Sequence, residues 1–472
     1  MIGYIILALA FILLLFSLPL IAQDGLSDLE MESATASYHL STDAPFNGSL
    51  VDLPYRLLQK ISIMIFGLTP YSIKLPSIII GLLLGILFIL LLNRWFKNNV
   101  SLLASCLVVL STPFLFLAGS GTPLIMLVFW PTLMLWLGSK IQGERRPKPM
   151  YSFLFAIAMA LAIFTPYMLY FAAFCIFFVA LQPHLRFVVK SLPKLPFTIT
   201  SLIILAGLAA LILNIINQPV IIEELLLAKG FNAENFLPNI LNGMRPVFQW
   251  FGETNSIFLA PLIGLPVLSL ALVGLFSTTK GFFASRNSIA SLLIVFAVIV
   301  TGLNPNTAIF LILPLSILIA HGLKYLLEKW YGLFPENPYA RITALFPLTI
   351  LFAIVITSGL LQYVYGYHYN SKVASRFDYS LDIIRHNLTE ETLVAEKNYD
   401  FYKILEDKNG LVVVNDIANA QSEKVAVLKG QITNETYANK YQLNQIITSP
   451  MKENSDIIYL YTVKGEQNGT DI

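Results

Sequence analysis

Residues 78–92 read IIIGLLLGILFILLL, and no position from Ile78 to Leu92 carries an ionisable side chain. A water-exposed helix of this length would show a polar face every third or fourth residue, and this stretch shows none. The hydrocarbon core of a bilayer is roughly 30 Å thick and takes about 20 apolar residues in helix to cross. In lipid the backbone must satisfy its own hydrogen bonds, which selects a helix. Extended to Asn93, the run is therefore read as a membrane-spanning helix, with Lys74 near its start and Arg94 just past its end. Ile203–Ile216 repeats the pattern.

The rest of the chain conforms. Of 472 residues, 56% are hydrophobic and 12% charged, with a mean hydropathy of +0.71, too little charge to cover a soluble surface. The net charge of +2 gives no reason to expect nucleic acid. Cys106 and Cys175 both fall inside apolar runs and read as small buried hydrophobes, with no disulfide framework and no metal-ligand spacing. The apolar stretch Ile2–Ala22 has no basic residue before it, and Gln23-Asp24-Gly25 makes a poor cleavage site, so it is expected to stay as the first span.

The expected fold class is mainly α: a polytopic membrane helical bundle of about eleven spans, at 2–22, 71–93, 100–118, 123–138, 150–164, 166–182, 197–217, 256–277, 287–303, 306–323 and 342–364. Proline breaks the tight turns at Phe164-Thr165-Pro166 and Asn304-Pro305-Asn306. With a cytoplasmic N-terminus, the inner loops hold 14 Lys and Arg, from Arg94 to Arg341, against Arg56, Lys60, Lys74, Lys229 and Arg245 in the outer loops. That asymmetry follows the positive-inside rule and fixes the expected orientation.

Two outer loops, 23–71 and 218–255, exceed simple turns. Leu53–Phe66 has apolar residues at helical spacing, interrupted by Arg56, Gln59 and Lys60, as in a helix lying in the membrane interface. From Tyr365 the composition turns polar, with one helical and several strand-like runs. The chain therefore divides into a membrane domain, 1–364, and a small extracytoplasmic α/β domain, 365–472.

The spans hold almost no ionisable side chains, which speaks against a pump or ion-coupled transporter. His321 reads as an interfacial residue at the inner end of a span. Acidic density gathers instead just after the first span, in Asp24-Gly25-Leu26-Ser27-Asp28-Leu29-Glu30-Met31-Glu32. On its own such a run is a solvated loop or the charged first turn of a helix.

The sequence that follows is more specific. Leu53-Pro54-Tyr55-Arg56-Leu57-Leu58-Gln59-Lys60, then Ile65-Phe66-Gly67-Leu68-Thr69-Pro70-Tyr71-Ser72-Ile73-Lys74-Leu75-Pro76-Ser77, resembles the GT-C glycosyltransferases of the aminoarabinose-transferase and protein O-mannosyltransferase type, glycosyltransferase family 39 and its bacterial relatives. Ser111-Thr112-Pro113 and Leu313-Pro314-Leu315 add to the likeness, which is most specific over residues 20–140. The resemblance implies an inverting transferase in a prokaryotic plasma membrane. It would move a sugar from a polyprenyl-phosphate carrier to a lipid, glycan or protein acceptor on the outer face. It also implies an acidic catalytic base early in the first outer loop. The matching position is Asp28, with Asp24 second and Glu30 assisting.

An acceptor hydroxyl attacks well only once its proton is drawn away, which a placed carboxylate does. The leaving group is already a phosphate, so positive charge is needed in place of a general acid. Arg56, Lys60, Lys74 and Arg245 are the candidate donor-phosphate ligands, each also readable as a snorkelling interfacial cation. No cofactor is called for, and a divalent cation at the phosphate is compatible with the resemblance. Leu29, Asp52, Lys74 and Gly119–Leu124 depart from the family pattern. They keep two other readings in view: a non-catalytic relative serving as a binding or assembly subunit of the cell envelope, and a lipid or glycan transporter.

Overall fold

The computed structural model describes residues 11–17, 25–40, 49–143, 149–227, 231–248, 263–279, 284–333 and, with short breaks, 336–463. The expected span 2–22 lies mostly outside these residues, as do Asp24 and Lys229.

The first loop forms two helices, α1 (Asp28–Tyr38) and α2 (Leu53–Phe66). The bundle follows: α3 (Pro70–Trp95), α4 (Asn98–Val109), α5 (Thr112–Gly119), α6 (Met126–Gly143), α7 (Pro149–Ala162), α8 (Met168–Leu181), α9 (Pro183–Ser191) and α10 (Lys194–Asn217). Then come α11 (Val220–Leu226), α12 (Phe236–Phe248), α13 (Leu265–Thr279), α14 (Ser285–Leu303), α15 (Ile312–Leu333) and α16 (Pro338–Tyr369).

Among the described residues, six helices are long and apolar enough to cross a membrane, and up to eight spans result if each of two bent pairs counts as one. Of the eleven expected spans, 2–22 and the start of 256–277 lie outside the described residues, and three others differ in form. Ser111-Thr112-Pro113 breaks the span expected at 100–118 into α4 and α5, bent by 65°. α7 and α13 are apolar but shorter than a full crossing.

Contacts between turns sort the helix ends onto two faces. On one, Asp52 N–H donates to Phe164 O (2.7 Å), Leu50 N–H to Asn214 Oδ1 (3.2 Å), Gly121 N–H to Glu30 Oε1 (2.6 Å) and Asn304 Nδ2 to Tyr167 Oη (3.1 Å). On the other, Arg94 donates to Ser139 O, Arg286 to Trp95 O and Gln182 to Ser288 Oγ. The basic inner loops of the sequence reading share this second face. His321 is buried, edge-to-face against Phe96, which follows the last residue of α3.

Small residues set the closest helix crossing. A Cβ on Gly274 of α13 would collide with the Leu318 carbonyl of α15, and one on Gly322 with the Leu270 carbonyl. Backbones this close pack by dispersion where lipid offers no hydrophobic drive.

α2 presents one apolar face outward and packs the other inward. Leu57, Ile61, Met64 and Ile65 are exposed, whereas Tyr55, Gln59 and Ile63 are buried.

Beyond α16 the chain returns to the first loop. β1 (Leu26–Ser27) pairs antiparallel with β2 (Phe377–Asp378). A five-stranded mixed sheet follows, from β3 (Thr392–Val394), β4 (Val413–Val414), β5 (Lys424–Leu428), β6 (Tyr441–Thr448) and β7 (Ile457–Val463) in the order β4-β3-β5-β7-β6. β3 is parallel to β4 and β5; β7 is antiparallel to β5 and β6. One hydrophobic cluster runs from Leu26, Met31, Ala34 and Ile73 into Leu381, Phe401 and Leu405, so this domain and α1 share a core.

Candidate functional site

The site forms where the first loop turns into α1. Ser27-Asp28-Leu29-Glu30 has the Ser-x-x-Glu pattern of a capping box, and the box closes. Glu30 N–H donates to Ser27 Oγ (3.4 Å), while Ser27 N–H and Ser27 Oγ–H donate to Glu30 Oε2 (2.7 and 2.9 Å). Gly121 N–H adds a donor to the other carboxylate oxygen, Oε1. Glu30 is thus buried, at 1% exposure, with its carboxylate held by three donors.

Gln59 organises the surroundings. Its amide donates to Ile73 O (3.0 Å) and Gly121 O (2.9 Å), and its carbonyl accepts from Ser33 and Ser37 (2.9 and 2.7 Å). One buried side chain therefore ties α1, α2, α3 and the turn after α5 together. Tyr55 Oη shares a hydrogen bond with Ser77 Oγ (2.8 Å), pinning α2 to α3 a second time.

The predicted residues divide. Glu30 lines a small hollow with Ser27, Phe116, Ser120, Thr122 and Phe377, so β2 of the C-terminal segment supplies part of its wall. Asp28, the expected base, does not line it. Its side chain is 63% exposed, ion-paired with Lys397 (3.0 Å) and accepting from Asn398 (3.2 Å). Partial burial acts to raise the Asp28 pKa, but the hydrogen bonds from Lys397 and Asn398 and the Lys397 charge outweigh it and hold the carboxyl below its ordinary value.

Lys74 is buried and donates to Gly25 O (2.6 Å), next to the Glu30 turn. Lys60 donates to Leu40 O and Arg56 to Ser49 O (3.1 Å), both tying down the first loop. Arg245 is exposed on α12, which packs on α14 and on the 305–311 turn. The structure therefore groups Glu30, Lys74 and Asp28 around one turn, and puts Arg56 and Lys60 further along α2.

Sequence reasoning took Gln59 only as an interruption in an apolar helix; the Ser27–Glu30 spacing was the visible signal that Glu30, not Asp28, turns inward. Asp52 is a second omission. It is buried, caps α2 in the left-handed conformation (φ 56°) without a side-chain hydrogen bond to the helix, and its Oδ1 has no hydrogen-bond partner. Burial pushes its carboxyl up to about 7, with Arg56 lowering it and Glu224 raising it.

At the other end of α5 lies an apolar groove of about 150 Å³, open on one side and lined by residues such as Val108, Val267, Ile312 and Ile354. Thr112 donates to Gly359 O (3.0 Å) and Gln362 Oε1 (3.2 Å) at its wall. One helical turn further along α5, Phe116 stacks on Tyr367 (4.9 Å) and also lines the hollow. No group of three or more potential metal ligands occurs among the described residues.

Residues 54–211 match the family described as dolichyl-phosphate-mannose-protein mannosyltransferase. The fold is similar to that of ArnT from Cupriavidus metallidurans bound to undecaprenyl phosphate, with TM-score 0.61, 12% identity and 98% of each chain covered. It is also similar to the oligosaccharyltransferase AglB from Archaeoglobus fulgidus in complex with an inhibitory peptide and a dolichol-phosphate, with TM-score 0.50, 13% identity, and 96% of this chain and 74% of that one covered. No curated protein sequence matches the chain. The chain thus shares its fold with these two glycosyltransferases, and its family match lies within the first half of the bundle.

Proposed function

We propose that the chain is an inverting glycosyltransferase that moves a sugar from a polyprenyl-phosphate carrier to an acceptor hydroxyl or amide. Transfer would occur on the membrane face that carries the C-terminal domain. The observation that carries this reading is a buried carboxylate in the hollow at one end of α5, with an apolar groove at the other end of α5 and along α16 whose walls suit an isoprenoid chain. ArnT and AglB, whose folds are similar, hold polyprenyl phosphates. The basic opposite face suits the cytoplasm, so the hollow opens outward from a prokaryotic plasma membrane.

In this reading Glu30 is the general base. Its three protein donors leave lone pairs free to accept the acceptor proton, and Ser120 and Thr122 offer hydroxyls alongside. Lys74, with one of its ammonium hydrogens on Gly25 O, would draw the leaving phosphate toward the same turn. The carrier departs as a phosphate, so no proton donor is needed. Asp28 then serves to dock the C-terminal domain through Lys397.

A second reading, a non-catalytic relative that binds the carrier, is favoured by the same ion pair and by the use of Lys60 and Arg56 on backbone carbonyls.

The test is transfer of radiolabelled sugar from polyprenyl phosphate by the purified full-length protein. Glu30→Gln is expected to lower turnover by about 10²–10⁴-fold, with Asp28→Asn close to wild type. Loss in Asp28→Asn with activity kept in Glu30→Gln would return the base role to Asp28. Binding of the carrier without transfer from any donor sugar would establish the non-catalytic reading.

A further inference from the structure

α9 belongs to neither the hollow nor the groove. It follows α8 at an angle of 101°, and after Leu192-Pro193 the chain enters the apolar α10. A helix set across the ends of two apolar helices in this way lies along the bilayer surface. Gln182, at its start, donates to Ser288 Oγ (2.9 Å), which fixes it to the face that carries Arg94 and Arg286.

The outward side of this helix is basic and unoccupied. Arg186 and Lys190 are exposed, and Lys194, the first residue of α10, continues their four-residue spacing. None of the three makes an ion pair with a described residue, and the chain contains no Asp or Glu between Glu144 and Glu223. Phe187 stands among them, 70% exposed, while Leu185 packs on the main core from the other side. No residue of α9 is fully buried.

We propose that α9 with Lys194 is a recognition surface for anionic phospholipid headgroups of the adjoining leaflet. The helix cannot leave the lipid boundary, because both its ends continue into apolar helices. Three cations at that depth meet phosphates, and an exposed phenyl ring between them meets the upper acyl chains. A soluble acidic partner would have to cover Phe187 at the membrane surface, where lipid already covers it.

The test uses the full-length protein in detergent, titrated with dioleoyl phosphatidylglycerol or dioleoyl phosphatidylcholine, with bound lipids counted by native mass spectrometry. Each Lys or Arg near an anionic surface favours association by about fivefold, so a preference for phosphatidylglycerol of about tenfold or more is expected. The Arg186→Gln, Lys190→Gln, Lys194→Gln variant should bring the two lipids to within about twofold of each other, while Arg186→Lys alone keeps the preference. Salt at about 0.5 M should weaken it in the wild type, as the Debye length shrinks to about 4 Å. A thermal unfolding midpoint close to wild type confirms that the triple variant is folded. An unchanged preference in that variant overturns the proposal. So does the absence of any preference in the wild type, an outcome that assigns the surface to a soluble acidic partner.

Discussion

The backbone N–H of Gly121 donates to Glu30 Oε1 over 2.6 Å, joining the turn after α5 to the first turn of α1. A side chain at position 121 has no room: a Cβ would stand 2.7 Å from Ile73 Cγ2 and 3.0 Å from the Ile73 carbonyl oxygen. Gly121→Ala should therefore move this turn and withdraw one donor from Glu30. The expected cost is about 1–3 kcal/mol, read as a lower unfolding midpoint in detergent. An unchanged midpoint would mean that the turn gives way freely.

Gln59 makes four hydrogen bonds in a fully buried position. Replacing it with Leu keeps the volume but strands Ser33, Ser37 and two backbone carbonyls. A loss of about 2–4 kcal/mol is expected, since each buried polar group left without a partner costs about 1–3 kcal/mol and some recover water. Proteolysis of the first loop should accelerate in parallel, and equal protease resistance in both proteins would refute the strut role.

Asp52 predicts a pH signature. Its folded-state carboxyl sits at about 7, above the ordinary value of 3.8. The folded state thus holds a proton that the unfolded chain has already released. This contribution is fully present below about pH 4 and is lost as pH rises through about 7, a change on the order of 4 kcal/mol. Asp52→Asn should be the more stable protein at pH 8 and should flatten that part of the profile. Parallel stability curves for the two proteins from pH 4 to 8 would dismiss the assignment.

Asp28 should behave in the opposite sense and far more weakly. Its carboxyl is held low, so its stabilising contribution is present above its unfolded pKa and fades as pH falls through the folded one. The pair with Lys397 is solvent-exposed, at 63% and 71%, and such pairs are worth about 0.2–1 kcal/mol. A double-mutant cycle with Asp28→Asn and Lys397→Gln measures the coupling directly. A value of several kcal/mol would show that the contact is buried in the working protein.

Much of the fold was legible because lipid imposes a simple rule on the backbone. Apolar runs such as Ile78–Leu92 had to be helices, and the Lys and Arg bias matched the two faces that the turn contacts define. Local chemistry was harder to read. Asp28 and Glu30 are two residues apart, so a helix sends them to different sides, and only the capping box tells which side is inward. Gln59, Asp52 and Phe377 act through partners far away in sequence, and no local pattern announces such contacts. The proline at 113 was visible, but the 65° bend it creates in a single expected span was not.

The pairing of Leu26 and Ser27 with Asp378 and Phe377 joins positions separated by most of the polypeptide. During synthesis the early helices leave the ribosome long before residues 377 and 378 exist. The wall of the hollow that Phe377 supplies can therefore be completed only after the last helix has been inserted and the following segment has reached the same side. A nascent chain stalled before that point would sit in the bilayer with the hollow unfinished, so its maturation is tied to synthesis of the segment that holds Phe377.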